Sequence, residues 1–385
     1  MRREIKFVLA VMFLAYLPIV GSRVVYSLLA LELGASAFDV GILAAGTQLP
    51  MVLFSIPVLL LVDRLGARWL LLAGALCGAL GLLLPYFFPT LPALLAGSLF
   101  FGLWNVLAFQ PTQKLVGALS SPEKTARHFS VYAFFAAASL FAGPFIAGIS
   151  IDYAGPVRAL LVLLPFVLIG ALMLALWGGM LSAAEVGRER LPRLGDTLAD
   201  PEVWRLIVIS SVISIAVELY PFFMPLYGHA AGLSASLIGT IVSMSAVGGL
   251  VLPLALARLV ARAGEERVLA WSLAVIALAF AIVPLGANTV VLLAVTLVFG
   301  FASAASNPVT AMLAYGRLPL ERAGQFLGVR NMGNGTARAV APPLFGALAG
   351  LLGLPGVFIA TAVLMGAAGA WVAGSRRGPR GRAQP

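Results

Sequence analysis

An all-α polytopic membrane protein, with twelve transmembrane helices in two six-helix pseudo-symmetric bundles, is the fold this sequence predicts. Three observations predict it. The 385-residue chain is 61% hydrophobic and only 10% charged, whereas soluble domains carry about 45–50% apolar and about 25% charged residues. Apolar runs long enough to cross a bilayer recur twelve times along it. The parts on either side of its one long polar stretch resemble each other.

A spanning helix needs about 20 mostly apolar residues, because each rises about 1.5 Å across a hydrocarbon core of about 30 Å. Cut at charges, prolines and glycines, the runs fall at 7–31, 38–62, 69–88, 92–117, 128–151, 157–180, 204–228, 235–257, 268–286, 290–316, 325–350 and 356–374. The first follows MRREIK, is longer than a signal-peptide core and meets no A-x-A-like cleavage site, so it reads as a retained span. The sixth and seventh flank the polar stretch, which holds Glu185, Arg188, Glu189, Arg190, Arg193, Asp196, Asp200 and Glu202. The expected organisation is a first bundle over 1–180, a cytoplasmic linker over 181–203, a second bundle over 204–374 and a cytoplasmic tail over 375–385.

The net charge of +10 is distributed as membrane topology, not as a nucleic-acid surface. With the N terminus inside, all but four of the 25 Lys and Arg residues fall at cytoplasmic ends. The four are Arg158, near an outer loop, and Arg23, Arg330 and Arg338, within helices. This bias predicts a multi-pass protein of a bacterial-type inner membrane with both termini cytoplasmic. The single cysteine, Cys77, lies in an apolar run, and His128 and His229 are far apart in sequence. No metal site or cofactor is expected.

The repeat appears at an offset near 198. Gly41 matches Gly239, Phe101-Gly102 matches Phe299-Gly300, Pro111 matches Pro308, Phe129 matches Phe326 and Gly148 matches Gly346. Six helices followed by six of the same topology form a parallel repeat, an organisation found in transporters that rock around a central site.

Two motifs carry a family resemblance. The loop between the second and third spans reads VDRLGAR, with Asp63, Arg64, Gly66 and Arg68, and the fifth span carries GPFIAG, with Gly143, Pro144 and Gly148. The chain thereby resembles the major facilitator superfamily, whose loop motif is G-x-x-x-D-R-x-G-R-R and whose antiporter motif is G-P-x-x-G-G. Leu59 and Ala67 depart from the first motif and Ala147 from the second. Ser98 or Leu99 stands where proton-coupled drug antiporters of the family carry an arginine. The resemblance implies a gating role for the loop charges, latching the two halves in one state, and close packing and bending of the fifth span at its Gly-Pro motif.

Polar stripes point to the helices that line a pathway. Spans 3, 6, 9 and 12 are nearly free of polar side chains, as lipid-facing helices can be. The others carry the candidate lining residues: Tyr16 and Tyr26 in span 1, Gln48 in span 2, Asn105 and Gln110 in span 4, and Ser214 in span 7. Ser303, Asn307 and Thr310 in span 10, and Asn331 and Asn334 in span 11, complete the set. Three charges reach comparable depth, about 24, 21 and 20 Å from their span starts: Arg23, Glu218 and Arg338. A charge at the centre of a bilayer costs roughly 2.5–3.5 kcal/mol on insertion scales. The three are therefore candidates for substrate binding and proton coupling, with Glu218 as the protonatable carboxylate and the arginines as donors to an anionic or polar group. A static Glu–Arg pair is the competing reading.

With no P-loop in the sequence, ATP is not the expected energy source. The expected activity is secondary transport of a small organic solute by alternating access, as proton-coupled export in a monomer. Uptake of an organic anion is the alternative within that class, and a non-transporting receptor the alternative outside it. A membrane-embedded enzyme would need convergent nucleophile and base chemistry, which the sequence does not display.

Overall fold

A computed structural model of the chain describes residues 3–181, 201–286, 288–317 and 320–374. The apolar runs become helices because hydrocarbon offers no partner for a free N–H or C=O. In chain order these are α1 (Arg3–Glu32), α2 (Ala37–Leu65), α3 (Ala67–Phe87), α4 (Leu91–Ala118), α5 (Thr125–Ala154) and α6 (Pro156–Trp177). The second set is α7 (Pro201–Ala230), α8 (Ala235–Ala263), α9 (Glu265–Ile282) and α10, which runs in two segments, Thr289–Ala304 and Ser306–Arg317. The last helical run, Leu320–Gly374, departs from helical geometry at Gly353 (φ 74°, ψ 171°). Its apolar part alone, 46 residues, would extend about 69 Å as one helix, more than twice the hydrocarbon thickness. It is therefore two spans, α11 (320–352) and α12 (354–374), which brings the crossings among the described residues to twelve. Most of the predicted linker, 182–200, and the tail, 375–385, lie outside those residues.

The caps are local. Ser36 and Asp39 form a reciprocal capping box on α2, Thr90 caps α4, Ser234 caps α8 and Asn288 caps α10. Inside the helices the hydroxyls of Ser22, Thr47, Ser98, Ser150 and Thr361 bond carbonyls of their own helix, which satisfies them without a partner helix.

Helices α1–α6 pack as one bundle and α7–α12 as the other. Helices α3, α6 and α9 make their substantial contacts within their own bundle. They expose large apolar side chains such as Leu76, Leu172 and Leu278, as spans 3, 6 and 9 were expected to do. Trp371 and Val363 of α12 are exposed likewise.

The bundles meet along two seams related by the repeat, α2 with α11 and α5 with α8. Gly41 sits against the Pro342 carbonyl and Gly346 against Ala37, while Gly239 sits against the Pro144 carbonyl and Gly148 against Ala235. A Cβ at any of the four would collide with the backbone across the seam. These crossings lie at the ends of the helices away from the N terminus and from the α6–α7 connection. We call that end distal; there the two bundles are closed against each other.

Candidate functional site

Helix α7 brings a carboxylate into the interior. Glu218 is 1% exposed, three residues before Pro221, whose missing N–H frees the Val217 carbonyl. Two groups of the first bundle reach it. The Arg23 guanidinium on α1 lies 3.5 Å from Glu218 Oε1, and the Gln48 amide on α2 donates to the same oxygen at 2.9 Å. Arg23 also stands over the Phe222 ring, 5.5 Å from its centre, one helical turn beyond Glu218. One carboxylate of the second bundle thus holds α1 and α2 of the first. The arrangement is a clasp between the bundles, in which one carboxylate oxygen accepts from both groups.

Arg338 does not join the pair as the sequence suggested. It is half-buried, forms no ion pair or hydrogen bond among the described residues, and its Nε is shielded and unpartnered. The face of α11 on either side of it is occupied by α2, with Val52 against Gly335 and Gly41 against the Pro342 carbonyl. The place beside Glu218 is filled by Gln48, a residue expected only to line a cavity.

A second basic site lies ten residues from the start of α11. Arg330 is 8% exposed. Its Nη1 donates to the Asn307 carbonyl at 3.1 Å and to the Thr310 hydroxyl at 3.0 Å, and its Nη2 reaches Asn331 Oδ1 at 3.4 Å. The Phe326 ring lies 5.9 Å from the guanidinium, and Nε is buried without a partner. Among the described residues no carboxylate pairs with it. The signal that could have found it is the repeat, which brings Arg330 within one residue of the counterpart of Tyr132 and Thr310 within one residue of that of Thr112.

The other predicted lining residues divide. Tyr16, Asn105 and Gln110 are half-buried, Ser214 is buried, and buried Asn334 accepts from the Ser211 hydroxyl at 3.3 Å, tying α11 to α7. Tyr26 turns away from the second bundle: its hydroxyl bonds the Gly81 carbonyl and its ring meets Phe101 edge-on, within the first bundle. The three residues of span 10 have unlike surroundings, in a helix that runs in two segments on either side of Ala305. Ser303 bonds the Gly300 carbonyl, Asn307 is exposed and Thr310 is buried on Arg330. Asn331 is exposed beside them.

The motif residues sit as follows. Gly66 ends α2 with φ 79°, and Arg64 is exposed. Arg68 donates to the Ala175 carbonyl at the end of α6 and lies against Gly178. It braces α3 to α6 inside one bundle and does not latch the two halves in this conformation. The side chain of Asp63 lies outside the described residues. Gly143 packs on α1 at Leu17 and Gly21, and Pro144 and Gly148 form the α5 side of the α5–α8 seam. At the proximal end, Glu202, Arg205, Glu266 and Arg317 make a ring of ion pairs joining α7, α9 and α10, with Arg205–Glu266 at 3.3 Å and Arg317–Glu266 at 2.8 Å.

Comparison with known proteins agrees with this architecture. The family model described as Major Facilitator Superfamily matches residues 8–249 and 206–385. No curated protein matches the chain. Among solved structures, the nucleoside transporter NupG is similar at a TM-score of 0.76 and 16% identity, over 96% of this chain and 100% of that one. A POT family transporter in complex with 5-aminolevulinic acid is similar at 0.80 and 14%, over 96% and 95%. The peptide transporter POT in complex with sulfate is similar at 0.77 and 13%, over 96% and 94%. At these identities the structural likeness concerns the fold. With the family model matched across nearly its whole length, the chain belongs to the Major Facilitator Superfamily.

Proposed function

We propose that this secondary transporter moves a small organic solute bearing an acidic or polar group by alternating access, coupled to protons, with export as the direction. The observation that carries the reading is the clasp of Arg23 and Gln48 on Glu218, because it joins the two bundles through one titratable group at depth. Protonation of Glu218 frees Arg23 for the solute, and its deprotonation restores the clasp. Energetic coupling of this kind needs two states that a proton and a solute bias differently. Arg338 and Arg330, basic groups within α11 with no carboxylate partner among the described residues, favour a second reading, uptake of an organic anion. The basic residues at the proximal ends support a cytoplasmic-side N terminus in an inner membrane.

The test is flux in proteoliposomes across a panel of small organic acids, bases and neutral amides, with and without an imposed pH gradient. Accumulation of one class driven by the gradient, in the direction of antiport, supports export. Symport of acids supports the anion reading. Absence of flux under every gradient overturns transport and favours a receptor.

A further inference from the structure

The two helices that open the distal seams are capped differently. The first N–H groups of a helix have no partner within it, and an acidic group near them is favoured by the helix dipole. Helix α2 supplies its own. Ser36 accepts from the Asp39 N–H at 3.3 Å, and Asp39 accepts from the Ser36 N–H at 2.8 Å and hydroxyl at 2.7 Å. Helix α8 has the matching serine, Ser234, which accepts from the Leu237 N–H at 3.3 Å, but Leu237 stands where the repeat has Asp39. Its missing carboxylate comes from the other bundle. Asp152, near the end of α5, accepts from the Ala235 N–H and the Ser236 N–H at 2.9 Å each, one on each carboxylate oxygen. The repeat counterpart of Asp152 on α11 is Gly350, which offers nothing. Both seams have close glycine crossings, and the α5–α8 seam alone adds a bond from the Ser243 hydroxyl to the Phe141 carbonyl, Ala45 standing at the counterpart of Ser243.

We propose that Asp152 is a one-sided latch on the distal gate: α8 keeps its own Ser234 cap but has a carboxylate at its N terminus only while the bundles are closed, whereas α2 carries its carboxylate with it. Separating α5 from α8 strips two charge-assisted bonds from a helix terminus and the Ser243 hydroxyl from the Phe141 carbonyl; among the described residues no side-chain hydrogen bond joins α2 to α11. The distal gate therefore opens unevenly, first and furthest on the α2–α11 side, and the bundles pivot about the α5–α8 seam. A solute entering or leaving at the distal end passes beside α2 and α11. This rests on the alternating-access reading above.

The experiment measures distances between spin labels on the full-length protein in lipid nanodiscs, in a Cys77→Ser background. Labels at Tyr153 and Ala230 report the α5–α8 seam, and labels at Glu32 and Leu351 report the α2–α11 seam. All four positions are exposed, and the pairs are equivalent under the repeat. In the wild type the open population at α2–α11 exceeds that at α5–α8. Asp152→Ala raises the open population at α5–α8 about 5- to 30-fold, the effect of one lost cap. Asp152→Asn, which keeps an acceptor oxygen without the charge, falls between, and it decides the matter if the alanine variant does not fold. Equal opening at the two seams, or variant distributions that superimpose on the wild type, overturn the latch. If neither seam moves and no gradient drives flux, alternating access itself fails; seams that move alike in a protein that transports sink the latch alone.

Discussion

Thr112 and Thr310 lie within one residue of each other in the repeat and hold different partners. Thr112 shares a hydrogen bond with the Tyr132 hydroxyl at 3.2 Å, and Thr310 accepts from Arg330 at 3.0 Å. Tyr132 and Arg330 likewise fall within one residue of each other under the repeat. The first bundle shows that the joint between its fourth and fifth helices needs no charge, so the guanidinium in the second bundle is an addition to the packing. Replacing Arg330 with Tyr installs the first bundle's version of the joint. The melting temperature of the purified variant is expected to stay level or rise, while flux of an acidic solute falls at least about tenfold, about 1.4 kcal/mol in the barrier. Unchanged flux would make Arg330 a brace for α10 and nothing more.

Glu218→Gln keeps the size of the side chain and an oxygen for Gln48 but cannot pair with Arg23 or carry a proton. Solute counterflow, which needs no net proton movement, is expected to survive. Accumulation driven by a pH gradient is expected to fall at least about tenfold, a change of about 1.4 kcal/mol. The measurement is the two assays side by side on one preparation; a variant that keeps full gradient dependence removes Glu218 as the proton carrier.

The clasp also predicts an unequal pattern of stability. Gln48→Leu removes one neutral donor from a buried carboxylate, a loss of about 1–3 kcal/mol. Arg23→Leu leaves that carboxylate without its countercharge, a loss of about 3–5 kcal/mol. Replacing Arg23 and Glu218 together by Leu recovers most of it, because no buried charge is then unpaired. Unfolding midpoints arranged as a double-mutant cycle test the coupling. Additive effects of the two single changes would mean that the 3.5 Å approach contributes no coupling.

Gly239→Val places a branched side chain where Gly239 faces the Pro144 carbonyl and Gly148. The distal seam can then no longer close. A cysteine at Ser243, whose hydroxyl donates to the Phe141 carbonyl across this seam at 2.7 Å, is protected in the Cys77→Ser protein. In the Gly239→Val background it is expected to become reactive to a membrane-impermeant thiol reagent added from the distal side. Labelling that stays at the protected level would show that the crossing tolerates the wedge.

Much of the fold was legible because a bilayer makes a one-dimensional demand: about 20 apolar residues, no broken backbone, charges at the ends. Twelve runs, the break at Gly353 and the bland character of spans 3, 6 and 9 all follow from counting side chains along the chain. The depth of Arg23 and Glu218 was readable in the same way, as rise per residue. What counting could not supply was azimuth across helices of different tilt and break. Tyr26 and Arg23 sit in one helix, yet one is spent on Gly81 and the other on Glu218. In span 10 the helical run is divided at Ala305, and its polar residues have unlike surroundings: Asn307 is exposed and Thr310 is buried on Arg330.

The sequence by itself determined the class, the repeat and which charges lie deep, since each depends on composition and spacing under the bilayer's constraint. Only the tertiary structure decided which of those charges meet. Arg23 reaches Glu218, Gln48 takes the place expected for Arg338, and Asp152 caps a helix 83 residues away in the other bundle. The physical reason is that such contacts span two bundles whose relative position is set by close glycine crossings along their seams, and a few ångströms there choose one hydrogen-bond partner over another.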